Sequence, residues 1–431
     1  MSFDKLLQQN LIWRGFYFVT IMLLNIVFSR FLKAEGSGFV YYLSSFFSLI
    51  ILIVSISMES GFTYFASGNI IPPNKLAIFA LLWIALSGIV LIFFFSFYFQ
   101  RFEKGLTINE QQYLQYGICY VTGLLMINFF TVLFNAQRDF FLPNFLSGLM
   151  NIILILILII EKYKGASVYT LTSSYFISLP IQGFILVLAF IVSYKTWHSI
   201  GLPGRIELNM LFRFSFIALI ANVVFFFVYR IDYWFVRYNC SPSDLGNYIQ
   251  ASKIGQIILI VPQIIASVMM TQIASGEFHQ DVSDAMVRLF RIFIQLFIGI
   301  ALVLSVFGNL LFILIFGASF NHMNLPLMLL LPGILCLAGL SMLSAYFSGT
   351  GQIKVNLIGG VYALLTVVAG NLLFIQHYSI YVAAGVSVVG YAVNLVYSLW
   401  HYIQAERLHW KELFHWKKSD WLWVKKMILN H

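Results

Sequence analysis

Twelve stretches of roughly 20 residues with almost no charge leave this chain few ways to fold. They lie at about 11–31, 39–58, 76–99, 113–135, 143–160, 168–193, 211–231, 245–273, 289–315, 325–347, 355–375 and 379–402. An α-helix of ~20 apolar residues crosses the ~30 Å hydrocarbon layer of a bilayer. Lipid offers no partner to an open backbone group, so helices or closed barrels alone can span it, and runs of this length select helices. Hydrophobic residues make up 61% of the 431 positions and charged residues only 10%. That is too little charge to cover a water-soluble protein of this size. The chain reads as an all-α integral membrane protein. The first span follows directly on the polar residues 1–10 and is too long for a signal-peptide core, so it is expected to be retained.

The eighth span is unusual because one of its sides is polar. Gln250, Lys253, Gln256, Gln263, Ser267 and Thr271 keep to about a third of the circumference at ~100° per residue. A lysine at a bilayer centre costs on the order of 2.5–3.5 kcal/mol, so Lys253 is expected to face a wet cavity. The stripe occurs twice. At an offset of 208, the matching residues are Tyr42, Ser45, Ser48, Ser55, Glu59 and Thr63, and Gly246 falls on Gly38. At an offset of 212, Asn356 falls on Asn144, Gly360 on Gly148, Gly317 on Gly105, and Ser379-Ile380-Tyr381 on Ser167-Val168-Tyr169. A repeat of six spans gives halves of the same orientation. The expected architecture is therefore twelve transmembrane helices in two six-helix bundles related by a pseudo-two-fold along the membrane normal.

The corresponding domains are 1–200, an N-terminal bundle, 201–402, a C-terminal bundle, and 403–431, a tail. The connection holding Pro203-Gly204 separates the halves. With both termini inside, 16 of the 25 Lys and Arg fall on the cytoplasmic side or in the tail, in keeping with the positive-inside bias. In the tail, Trp410, Trp416, Trp421 and Trp423 alternate with Lys411, Lys417, Lys418, Lys425 and Lys426. That mixture suits an interfacial segment on the anionic cytoplasmic leaflet. Pro262 and Pro332-Gly333 are expected to interrupt the eighth and tenth spans.

The net charge of +9 is scattered among apolar spans, which fits membrane orientation better than nucleic acid as a partner. Cys119, Cys240 and Cys336 form no CxxC, and the eight histidines show no metal-ligand spacing. No GxSxG and no ATP-binding GxxxxGK[ST] motif is present, so the chain is not expected to be an enzyme. No cofactor is expected beyond H+ or Na+ as a coupling ion.

The polar residues inside the spans are the candidate site. Arg14 and Asn25 lie three turns apart on one face of the first helix. There they would form a cationic wall for an anionic headgroup, unless Arg14 simply snorkels to the interface. Lys253, Gln256 and Gln263 complete the substrate-binding set. Asp232, with Arg230 and Arg237, ends the seventh span and has no cation at helical i±3 or i±4 spacing. It is either solvated or paired with another helix, Lys253 among the options, and a carboxylate with an exchangeable partner suits ion coupling. Glu59 could bind H+ or Na+, or be a solvated helix end. Arg138-Asp139 is expected to anchor an inner loop.

A family resemblance is carried by Arg230-Ile231-Asp232, then Leu245-Gly246-Asn247-Tyr248 with Ala251, then Val261-Pro262. Further matches are Ala136-Gln137-Arg138-Asp139, Gly317, Leu331-Pro332-Gly333, and Tyr346-Phe347-Ser348-Gly349 with Gly351. The pattern resembles the Wzx-type polysaccharide flippases of the MATE/MOP exporter superfamily over nearly the whole chain. The late segment Ser379-Ile380-Tyr381-Val382-Ala383-Ala384 is a partial match. The resemblance implies a central cavity lined by helices 1, 2, 7 and 8, and alternating access. It implies movement of an undecaprenyl-diphosphate-linked oligosaccharide from the cytoplasmic to the periplasmic leaflet of the bacterial inner membrane, for surface polysaccharide assembly. Lipid-linked oligosaccharide, membrane lipids and other polysaccharide-assembly proteins are the partners it implies. Two alternatives stand beside it. One is an ion-coupled multidrug or metabolite exporter of the same superfamily, which needs a pocket for cations. The other is a membrane polysaccharide polymerase, for which the chain lacks a sizeable extracytoplasmic loop.

Overall fold

The computed structural model describes residues 3–68, 70–102, 110–195, 201–275, 279–406 and 420. The side chains of 3–11, 99–102, 267, 268, 270–272, 274, 275, 279–285 and 376–378 are not described. Gly105, the side chains of Ser267 and Thr271, and all of the tail from 407 onward except Asp420 therefore lie outside the described residues.

The helices in chain order are α1 (Phe3–Ser55), α2 (Met58–Ser67), α3 (Pro73–Phe102), α4 (Glu110–Ala136), α5 (Phe141–Tyr163) and α6 (Val168–Tyr194). They continue with α7 (Arg205–Asn239), α8 (Pro242–Ile258), α9 (Ile260–Ser275), α10 (His279–Phe316), α11 (Asn324–Gly349) and α12 (Ile353–Glu406). No strand occurs among the described residues. Among the described residues, eleven stretches are long and apolar enough to cross a membrane. The first, Ile12–Ser55, contains two spans, because Lys33 (φ 61°, ψ −177°) breaks α1. Ser379 (φ 60°, ψ −152°) breaks α12 in the same way between the last two spans. Twelve spans result, as the apolar runs predict.

Two compact units form: Met1–Leu32 with Leu43–Val223, and Lys33–Tyr42 with Val224–His431. The boundary thus falls inside α7 rather than at the Pro203-Gly204 connection, because the first turns of α7 pack with the first unit. Gly61 admits Leu211 and Ser215 so closely that a Cβ there would lie 2.6 Å from either. Lys75 pairs with Glu207 at 3.4 Å, and Asn222 Nδ2 donates to Ser57 Oγ at 3.1 Å.

Aromatic rings fill the core of the first unit. Phe47 meets Phe95, Tyr113, Tyr120 and Phe176, which ties α1 to α3, α4 and α6. Large side chains on the outer faces, such as Phe93 (73% exposed), are left for lipid. In the second unit Arg291 and Asp420 form a two-pronged ion pair, with 2.9 Å for both Nε–Oδ2 and Nη2–Oδ1. Asp420 is the one described residue beyond Glu406, and it is buried.

The repeat is visible inside each unit. Gly148 of α5 packs on Phe16, and Gly360 of α12 packs on Val224. Phe16 and Val224 are themselves 208 apart, so the same helix crossing recurs. Ser167 caps the N-terminus of α6, accepting from Thr170 N at 3.2 Å, and its equivalent Ser379 opens the last span.

The prolines act unequally. Pro262 has no N–H for the Ile258 carbonyl, and the helix breaks at Leu259, between α8 and α9. The expected interruption at Pro332-Gly333 does not occur: α11 runs through Pro332. A single missing hydrogen bond is tolerated there because Gly333, packed against Val388 and Tyr391, keeps the helix seated on α12.

Candidate functional site

Local chemistry brings α7 and α8 back against each other. Asn239 closes α7, its side-chain amide donating to Phe235 O at 2.8 Å. Two residues on, Ser241 caps α8: its hydroxyl accepts from Asp244 N at 3.1 Å and donates to Asp244 Oδ2 at 2.7 Å. Pro242 at the first helical position suits the start. This turn places Asp232 and Tyr248, sixteen residues apart, in direct contact.

Asp232 is 2% exposed. Tyr248 Oη donates to its Oδ2 at 2.5 Å and Ser387 Oγ, from the last span, donates to the same oxygen at 3.2 Å. Tyr233 N donates to Oδ1 at 2.9 Å. Asp232 is not solvated, and the side chains hydrogen-bonded to it are hydroxyls on α8 and α12 rather than the Lys253 ammonium. The Tyr233 hydroxyl donates to Ser252 Oγ at 2.9 Å and lies within hydrogen-bonding reach of Gln256. The polar face of α8 is therefore tied to α7 through tyrosine.

Lys253 is half-buried on α8, its ammonium 3.0 Å from the centroid of the Tyr41 ring. Arg230 lies close enough to act electrostatically on both Asp232 and Lys253, and its guanidinium sits 5.8 Å from the Tyr233 ring. Arg237, two turns further along α7, meets the Tyr42 ring at 5.8 Å. Lys253, Gln256 and Asp232 are thus gathered in one network. Gln263, beyond the Pro262 break, is exposed.

The first unit holds the other candidates. Arg14 is exposed, with its guanidinium 5.7 Å from the Phe18 ring one turn away, and Asn25 is half-buried. Glu59 is half-buried in the first turn of α2, where a carboxylate is favoured by the helix dipole. Its carboxyl lies near Ser55, and its Oε2 is buried with no hydrogen-bond partner among the described residues. Two other polar positions of the second span, Ser45 and Ser48, are used in packing. Ser48 Oγ lies 3.0 Å from Tyr120 Oη, and Ser45 is 1% exposed. Asp139 accepts from the backbone N–H of Phe141 and Leu142, each at 3.1 Å, which anchors the start of α5.

Sequence reasoning did not single out Tyr41 or Ser387, and it named Tyr248 only among the residues that carry the resemblance, with no role. A tyrosine or serine in an apolar span carries no charge signal, and Ser387 is 155 residues from the carboxylate it meets.

No family model matches the chain, and no curated protein matches it. Solved structures do. A lipid II flippase, MurJ, in an inward closed conformation superposes with a TM-score of 0.73 at 15% identity, covering 94% of this chain and 88% of that one. An inward-facing multidrug resistance MATE family transporter of the MOP superfamily gives 0.71 at 14% identity, covering 90% and 94%. A MOP superfamily transporter from Pyrococcus furiosus, whose binding pocket is described as reversed in polarity, gives 0.63 at 14% identity, covering 93% and 96%. The chain therefore has the multi-pass helical fold shared by the MurJ flippase and the MATE transporters of the MOP superfamily.

Proposed function

We propose that this protein is a flippase that moves an undecaprenyl-diphosphate-linked oligosaccharide from the cytoplasmic to the periplasmic leaflet of the bacterial inner membrane by alternating access, for surface polysaccharide assembly. The observation that carries the reading is the cationic network of the second unit. Lys253 sits in mid-span beside Arg230, with Gln256 on the same face. Cations held among aromatic rings in an apolar span suit an anionic headgroup. A drug exporter for cations would be ill served by them. Carrying the bare headgroup through hydrocarbon would strip its polar groups of water at several kcal/mol each, so a polar path lowers the barrier and the lipid tail can stay in the bilayer. The fold shared with a lipid II flippase supports a lipid-linked substrate.

In this reading Lys253, Gln256 and Gln263 contact the headgroup, and Arg14 and Asn25 are further proposed substrate-binding residues. Asp232 is the coupling group. Its carboxylate and the hydroxyls of Tyr248 and Ser387 are hard oxygen ligands that can turn their lone pairs to H+ or Na+. Glu59 is the second coupling group, with one buried oxygen lacking a partner among the described residues. The test is Lys253→Ala in cells, with surface polysaccharide and membrane abundance measured together. Loss of polysaccharide at normal abundance supports the reading, and unchanged polysaccharide removes Lys253 from the site.

A further inference from the structure

The segment Lys33–Tyr42 is flanked on both sides by residues of the first unit and yet packs with the second. Contacts along its length hold it there. Gly38 lies directly on Gly246, where a Cβ would come within 2.6 Å of the Gly246 Cα and N. Ala34 N donates to Ser319 Oγ at 3.1 Å, and Asn247 Nδ2 donates to Ser319 O at 3.2 Å. At the other end, the Tyr41 ring receives the Lys253 ammonium at 3.0 Å, and Tyr42 receives the Arg237 guanidinium at 5.8 Å and packs on Trp234. Both tyrosines are buried.

These contacts differ in how they respond to an anion. The glycine crossing and the Ser319 bridge involve backbone and neutral groups. The Lys253–Tyr41 contact is an attraction between a full charge and a ring quadrupole, and a phosphate oxygen competes for the same ammonium with a charge-assisted hydrogen bond. We propose that Tyr41 is a placeholder for the anion, and that Lys33–Tyr42 is a strap released by substrate. A diphosphate headgroup reaching Lys253 draws the ammonium off the ring, and the strap loses its ligand-sensitive hold on the second unit. Arrival of substrate is thereby linked to the conformational change that must follow. This rests on the reading of Lys253 as a headgroup contact. Tyr41 acts as a positioning residue, through Lys253.

The test uses the full chain in nanodiscs, with Cys119, Cys240 and Cys336 replaced by Ala and with Ala34→Cys and Ser319→Cys introduced. The rate of disulfide formation between the new pair reports strap docking, and acylation of Lys253, read by mass spectrometry, reports headgroup binding. Undecaprenyl diphosphate is expected to protect Lys253 and to slow crosslinking by roughly fivefold or more, a typical size for coupling between sites. Uncharged undecaprenol is expected to do neither. Tyr41→Leu should slow crosslinking without ligand and abolish the response to the diphosphate, whereas Tyr41→Phe, which keeps the ring, should behave as the parent. Protection of Lys253 with unchanged crosslinking overturns the strap and leaves the headgroup reading intact. Absence of protection overturns both. A Tyr41→Leu protein that crosslinks at the parent rate and still responds to the diphosphate overturns the strap as well.

Discussion

Asp232 and its three donors are the most exacting local arrangement in the chain. Tyr248→Phe removes one donor from a buried carboxylate and is expected to cost about 1–3 kcal/mol of stability, read as a lowered melting temperature in detergent. Asp232→Asn keeps the shape but offers an amide where the Tyr248 and Ser387 hydroxyls need an acceptor. In proteoliposomes its transport is expected to lose the parent's dependence on pH or Na+, and an unchanged ion profile would remove Asp232 as the coupling group. Arg291 and Asp420 pose a different question, since both are almost wholly buried. Arg291→Ala should cost about 3–5 kcal/mol by stranding a buried charge, and adding Asp420→Ala should restore part of it. No recovery in the double variant would mean the pair does not account for the loss. At this scale the sequence drew attention to charges that interrupt an apolar span, as at Lys253 and Asp232. It was silent on Tyr41 and Ser387 and gave no role to Tyr248, because their roles come from tertiary contact. The sequence leaves Arg14, near the end of its span, open between a cavity wall and the interface; it is exposed, whereas Lys253 is packed against a ring.

At the scale of elements, helix crossings are set by glycine. Gly246 faces the Ala34 carbonyl with no room for a Cβ, while Gly15 in α1 has nothing within 4 Å of where a Cβ would go. Gly246→Ala is therefore expected to lose about 1–3 kcal/mol through overpacking. Gly15→Ala should gain up to about 1 kcal/mol from helix propensity. Thermal melts of the two variants check both signs, and equal melting temperatures would mean the crossing is looser than described. The offset between Gly38 and Gly246 could be read from the sequence, but the contact between them could not, because similarity between repeats says nothing about which equivalent residues touch. The polar stripe of the second span misled for a related reason. Its serines suit interhelical hydrogen bonds as well as a water path, and Ser48 turned out to face Tyr120. Proline was an incomplete guide, since Pro262 ends a helix and Pro332 does not.

For the whole molecule, the number and order of spans followed from apolar run length alone, because a bilayer imposes that length on any helix that crosses it. The fold shared with MurJ and the MATE transporters agrees with the six-plus-six repeat. The sequence puts the boundary between halves at the Pro203-Gly204 connection, whereas α7 belongs partly to each unit and Lys33–Tyr42 packs with the second. The central claim is that the cations of the second unit serve a lipid-linked anion. Its most direct test is leaflet exchange of a fluorescent undecaprenyl-diphosphate-linked saccharide in proteoliposomes containing the purified protein or its Lys253→Ala variant. The account predicts fast exchange with the parent protein and exchange near the protein-free rate with the variant. Equal exchange by the two proteins, or no exchange by the parent while it transports a small organic cation, would contradict it.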